Sequence, residues 1–112
     1  MTVWAVHRVK ELDISQASKY GEVDYINSRY VYADEIDKTL LPEKVRSRLE
    51  RATDQFDPDH DFMLIAGDHL QLVFLSALLA NRWGEFKVLR YDREAGGYFP
   101  VTISVVGQHG HN

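Results

Sequence analysis

The stretch Phe62-Met63-Leu64-Ile65-Ala66-Gly67-Asp68-His69, continued by the apolar residues up to Trp83-Gly84, decides the fold. Five consecutive apolar residues, Phe62 to Ala66, are the signature of a strand covered on both faces. Gly67-Asp68 interrupts the run, and an aspartate just before an apolar segment is a strong helix N-cap. The spacing predicts a helix from His69 to about Trp83. Leu70, Leu72, Val73, Phe74, Leu75, Ala77, Leu78 and Leu79 make it apolar nearly all round, so it is expected to be largely buried. Gly84 suits the position after the last helical residue, and Arg82 suits the negative end of the helix dipole. Phe62 to Ala80 is long enough to cross a membrane. However, Asp68 and His69 in mid-span would cost several kcal/mol. A strand followed by a helix, and no membrane, is the expectation.

Working outward, Glu85 to Tyr91 reads as the next strand, which makes residues 62–91 a right-handed parallel β-α-β crossover. Tyr98 to Val106 follows across the loop Asp92 to Gly97, forming a C-terminal β-hairpin over 85–106. Pro100 cannot donate to a ladder and marks this strand as an edge, or as the site of a bulge. Upstream, Ile36, Leu40, Leu41, Val45, Leu49, Ala52 and Phe56 recur at helical spacing. Pro42 places the regular start of this helix near Leu41. Asp54 to Asp61 is a loop punctuated by Asp57-Pro58. Thr2 to Val9 reads as a first strand, and Asp13 to Lys19 as a helical turn capped by Asp13 or Ser15. Glu22 to Ile26 and Arg29 to Tyr32 form one bent strand or two. The fold class is therefore α/β: a small single-domain mixed sheet of four to five strands with two main helices. The domain is expected to span residues 1–106, with 107–112 as a flexible C-terminal tail.

Composition narrows the function classes. The 112 residues contain no cysteine, which excludes a disulfide scaffold, a thiolate metal site and a cysteine nucleophile. Thirteen Lys and Arg against seventeen Asp and Glu give a net charge of −4, against a general nucleic-acid coat. The charge is uneven. Asp54 to Asp68 holds five aspartates and no Lys or Arg, while Lys38 to Arg51 holds five basic residues against Glu43 and Glu50. The N-terminus places its apolar run before its charge, unlike a secretory signal, and a cytoplasmic location is expected.

Three groups of residues are candidates for chemistry. Asp57, Asp59, Asp61 and Asp68 occupy positions 1, 3, 5 and 12 of a calcium-loop pattern. Phe62 stands where the loop needs glycine, and Asp68 where it needs a bidentate glutamate, so that pattern fails. A looser metal site could use Asp57, Asp59, His60 and Asp61; the competing reading is a solvated acidic loop. Asp68 and His69 sit where a strand's carboxyl end meets a helix, the place at which open α/β sheets bind ligands. The carboxylate suits a metal or general-base role better than anion binding, and the competing reading is a helix cap. Lys44, Arg48 and Arg51 form a basic stripe on the first helix. Lys87, Arg90, Tyr91 and Arg93 interleave charge with aromatics on the hairpin. Both sets could contact an acidic partner or single-stranded nucleic acid; ordinary solvated faces and cross-strand pairs are the competing reading. No nucleophile motif is present. His109 and His111 lie in the tail and offer no preorganised site.

Asp57 to Asp68, Phe86 to Arg93 and Tyr98 to Val101 are similar to a group of short tailed-bacteriophage and prophage proteins. These share an acidic loop, a buried strand ending in Gly-Asp, a buried helix and a strand ending in charged–aromatic–Asp–Arg. The similarity covers roughly residues 54–106. It implies a non-structural phage protein acting in the host cytoplasm, and it brings no catalytic residues with it. The expected function is thus a non-catalytic accessory protein that binds a protein partner or forms a homodimer, with no cofactor. Six tyrosines, a residue favoured at interfaces, support that expectation. Alternatives are a metal- or nucleotide-dependent enzyme or ligand binder at Asp68 and His69, and weak single-strand binding by the hairpin.

Overall fold

The computed structural model describes residues 1–9, 14–27 and 41–105. Five strands form one mixed sheet: β1 (Thr2–His7), β2 (Glu22–Asn27), β3 (Phe62–Leu64), β4 (Glu85–Asp92) and β5 (Gly97–Ser104). Their order is β2-β1-β3-β4-β5. The pairs β1–β2, β1–β3 and β3–β4 are parallel, and β4–β5 is antiparallel. Among the described residues, two helices, α1 (Glu43–Gln55) and α2 (His69–Trp83), and a 3-10 turn at Ala17–Tyr20 lie in the connections between them.

The layers follow from this order. The β1-to-β2 connection moves one way along the sheet, and the β2-to-β3 and β3-to-β4 connections move the other way. A common handedness then puts them on opposite faces. Accordingly, Val45, Leu49 and Ala52 of α1 and Leu75 and Leu79 of α2 pack with Trp4, Val6, Met63, Phe86 and Val88 on one face. On the other, Ala17, Ile14 and Tyr20 cover Val3, Ala5, Phe62, Leu64, Leu89 and Tyr98. Successive strand residues alternate between the two clusters, as pleating requires. The Tyr20 hydroxyl donates to the Tyr98 carbonyl at 3.0 Å, which pins the short turn to the hairpin.

The sequence expectations fare unevenly. Asp68 caps α2, accepting from the Gln71 N–H at 3.0 Å, and Gly84 ends it at φ 79°. Pro100 pairs with Leu89 in an unbroken register on the outer strand, so it marks an edge and no bulge. The run Phe62–Ala66 gives a strand of only three residues, because the chain turns toward Gly67 after Leu64. Pro42 is the N-cap residue of α1, which starts at Glu43 rather than near Leu41. The early turn is a 3-10 turn whose N-cap, Gln16, makes no side-chain cap bond. The clearest correction concerns α2. It is buried along one line only, while Leu70 is 47 % and Val73 66 % exposed. Among the described residues no second layer of helices lies outside it. The segment 29–32, Ile36, Leu40 and the tail 107–112 lie outside the described residues.

Candidate functional site

The acidic loop is closed on itself. Asp61 is 5 % exposed, so it is not part of a solvated loop as expected. Its carboxylate accepts from the Thr2 N–H at 2.9 Å, the Trp4 indole N–H at 3.0 Å and the Asp57 N–H at 2.9 Å. These bonds fasten the entry of β3 to the start of β1. Asp57 accepts from the Asp59 N–H at 3.0 Å and contacts His60 Nδ1 at 2.8 Å. The His60 hydrogen bond, joined by that of the Asp59 N–H, holds the Asp57 carboxyl below the ordinary aspartate value of 3.8. Lys87 donates to the Asp59 carbonyl at 2.8 Å and lies 5.0 Å from the centre of the Phe62 ring. Among the described residues, no three acidic or histidine groups converge as a metal ion would require.

The carboxyl ends of β1, β2 and β3 meet the start of α2. Connections leave β1 and β3 toward opposite faces, so the gap between them is the switch point where doubly wound sheets accept ligands. Here His7 spans that gap. Its Nε2 accepts from the Asp68 N–H at 2.9 Å, while its Nδ1 lies 2.9 Å from the Arg8 carbonyl. That pairing makes the ring the Nδ1–H form. A side chain of the protein thus occupies the amide that a bound anion would use. Gly67, at φ 109°, lets the chain pass: a Cβ there would sit 2.8 Å from Val6 Cγ2 and 3.0 Å from His7 Nε2. Beside it, Asn27 Nδ2 donates to Gln71 Oε1 at 3.1 Å, both residues being buried. Gln71 Nε2 has no partner among the described residues. Asp68 itself spends its carboxylate on the Gln71 N–H, and His69 is exposed in the first turn.

The basic candidates fall into separate places. Arg90 pairs across the hairpin with Phe99, and the next residue, Tyr91, points to the opposite face, where it meets Tyr98 edge-on at 5.2 Å. Lys87 is engaged with Asp59, and exposed Arg93 lies in the turn. Lys44, Arg48 and Arg51 are exposed on α1. Arg48 and Arg51 line a cleft between α1 and β2, which Lys44 does not reach.

The chain matches the family described as Phage Pam3 gp32-like protein over residues 2–105. It belongs to that family. The match takes in β1, β2 and α1 as well as the segment from Asp54 onward, so the phage relationship is not confined to the second half of the chain. No curated protein and no solved structure matches the chain. No helix of the described residues is long and apolar enough to cross a membrane.

Sequence reasoning passed over His7, Asn27 and Gln71. His7 and Asn27 close their strands, and the rule that α/β sites lie at strand carboxyl ends would have singled them out. Gln71 carried a plainer signal, as an amide within the apolar run Leu70 to Leu75. Gln55 shares a helical side with Arg48 and Arg51, but Asp24, which lines the cleft from β2, had no sequence signal because it meets them only through the tertiary fold.

Proposed function

We propose that this family member is a non-catalytic phage accessory protein that works in the host cytoplasm by binding a protein, either a host or phage factor or a second copy of itself. The observation that carries this reading is the outward side of α2. Leu70, Val73 and Ala77 follow one exposed line, and no Asp, Glu, Lys or Arg occurs between Asp68 and Arg82. A helix with apolar residues on both its buried and its exposed side is an element prepared for a second contact. Phe99 and Ile103 of β5 add exposed apolar surface on the sheet face that carries the helices.

The test compares the native chain with a Leu70→Lys, Val73→Glu variant by light scattering after size exclusion and by affinity capture. The variant is expected to keep its melting temperature, because both side chains are exposed, and to lose association. A native chain that stays monomeric, together with a variant that captures the same proteins, would overturn the reading.

A further inference from the structure

The cleft between α1 and β2 has a volume of about 200 Å³. That is below the usual 300–1,000 Å³ range of small-molecule sites, so it admits only a compact ligand. Arg48, Arg51 and Gln55 project from one side of α1, at i, i+3 and i+7. Asp24 stands on β2 opposite them, and Trp4 and Ile26 supply a small apolar wall. Trp4 is held in place from behind by the Asp61 carboxylate on its indole N–H. Among the described residues neither arginine has a carboxylate within 4.0 Å, although Asp24 lines the same cleft. Two guanidinium groups one helical turn apart repel each other, and an anion between them relieves that repulsion. Their planar forks fit a phosphate by paired N–H donors. The cleft also contains a carboxylate and an amide. Asp24 would repel a bare anion, yet it is a good acceptor for a hydroxyl. Anion receptors and a hydroxyl acceptor together in so small a space call for an anionic group joined to a polyhydroxylated body.

We propose that this cleft binds a pentose phosphate group, with the phosphate on Arg48 and Arg51 and the sugar hydroxyls on Asp24 and Gln55. The same group occurs as a free sugar phosphate and within a mononucleotide. The site is independent of the exposed side of α2 and stands whether or not that surface has a partner.

The experiment follows backbone amide shifts of the full chain on titration with ribose 5-phosphate, AMP, inorganic phosphate and ribose. Ribose 5-phosphate should perturb Arg48, Arg51, Gln55 and Asp24 more strongly than phosphate does, and ribose should not perturb them. If AMP binds no more weakly, the cleft accepts the group within a nucleotide; if AMP is excluded, it takes the free sugar phosphate. Both results support the site. An Arg48→Gln, Arg51→Gln variant should lose about tenfold or more in affinity through its charge-assisted bonds. Asp24→Asn should weaken ribose 5-phosphate while leaving phosphate unchanged or tighter. Lys44→Gln, Arg46→Gln, which removes equal charge outside the cleft, should change affinity less than twofold. The proposal fails if ribose 5-phosphate perturbs nothing at about 10 mM, beyond the range of even weak specific ligands. It also fails if phosphate binds as tightly as the sugar phosphate, if AMP binds and ribose 5-phosphate does not, or if the control variant loses as much as the cleft variant.

Discussion

Asp61 shows how much a single side chain can organise in a domain this small. One carboxylate receives three N–H donors, two of them backbone groups from segments far apart in the chain. Bonds to a charged acceptor are worth roughly 1.5–3 kcal/mol each, and their donors become orphans when the acceptor is deleted. Asp61→Ala should therefore lower unfolding stability by about 3 kcal/mol or more, read as a lower denaturant midpoint. A loss under about 1 kcal/mol would show the network to be dispensable. Asp57, four residues earlier, behaves differently because it is exposed. Its carboxyl is held below 3.8 chiefly by the hydrogen bond to His60. A carboxyl with a depressed folded value adds stability above its unfolded value and loses it as pH falls through the folded one. The contribution of Asp57 should thus be complete above the ordinary aspartate range and disappear in more acid solution. A carbon-detected titration should place its midpoint below 3.8, and His60→Ala should move it back up; an unmoved midpoint would assign the depression elsewhere.

At the scale of elements, α2 separates what local chemistry specifies from what only the assembled fold specifies. Its ends were legible: Asp68 before it and Gly84 after it are cap residues with known geometry, and both act as such. The bond from the Gln71 N–H to the Asp68 carboxylate satisfies one donor of the first turn. Asp68→Ala should cost about 1 kcal/mol, the usual worth of an N-cap, with the loss equal in Mg²⁺ and in EDTA. A loss confined to the metal-containing buffer would make Asp68 a ligand instead. The outward side of α2 was not legible. Apolar residues all round are equally the mark of a helix between two layers and of one with a free side. Which applies depends on whether a second helical layer exists, and that follows from connection order. Similarly, the acidic loop read as solvated because four aspartates within eight residues resemble a hydrated turn. Nothing in their spacing tells that Asp61 alone faces the indole of Trp4. The hairpin was the easier case. Its pattern is local, and the donor that Pro100 lacks pointed to an edge or a bulge, of which the sheet order and unbroken register give the edge.

For the molecule as a whole, the α/β class, the crossover and the hairpin emerge from periodicity. The strand order β2-β1-β3-β4-β5 does not, because pairing between distant segments leaves no periodic trace. The candidate site suffered most from that gap. The cleft draws on β1, β2 and α1, and the switch point on the ends of three strands and a helix. The order also has a bearing on biosynthesis. β1 lies between β2 and β3, and the carboxylate that fastens its first residues belongs to Asp61. The ribosome makes β1 well before residues 61–64, so this strand emerges with one neighbour and without its anchor. A nascent chain stalled before Asp61 holds β1 and its neighbour β2 but lacks β3 on the other side of β1 and the carboxylate that receives the Thr2 N–H. A protease-resistant nascent domain is therefore expected only after β4, the next partner of β3, has left the exit tunnel.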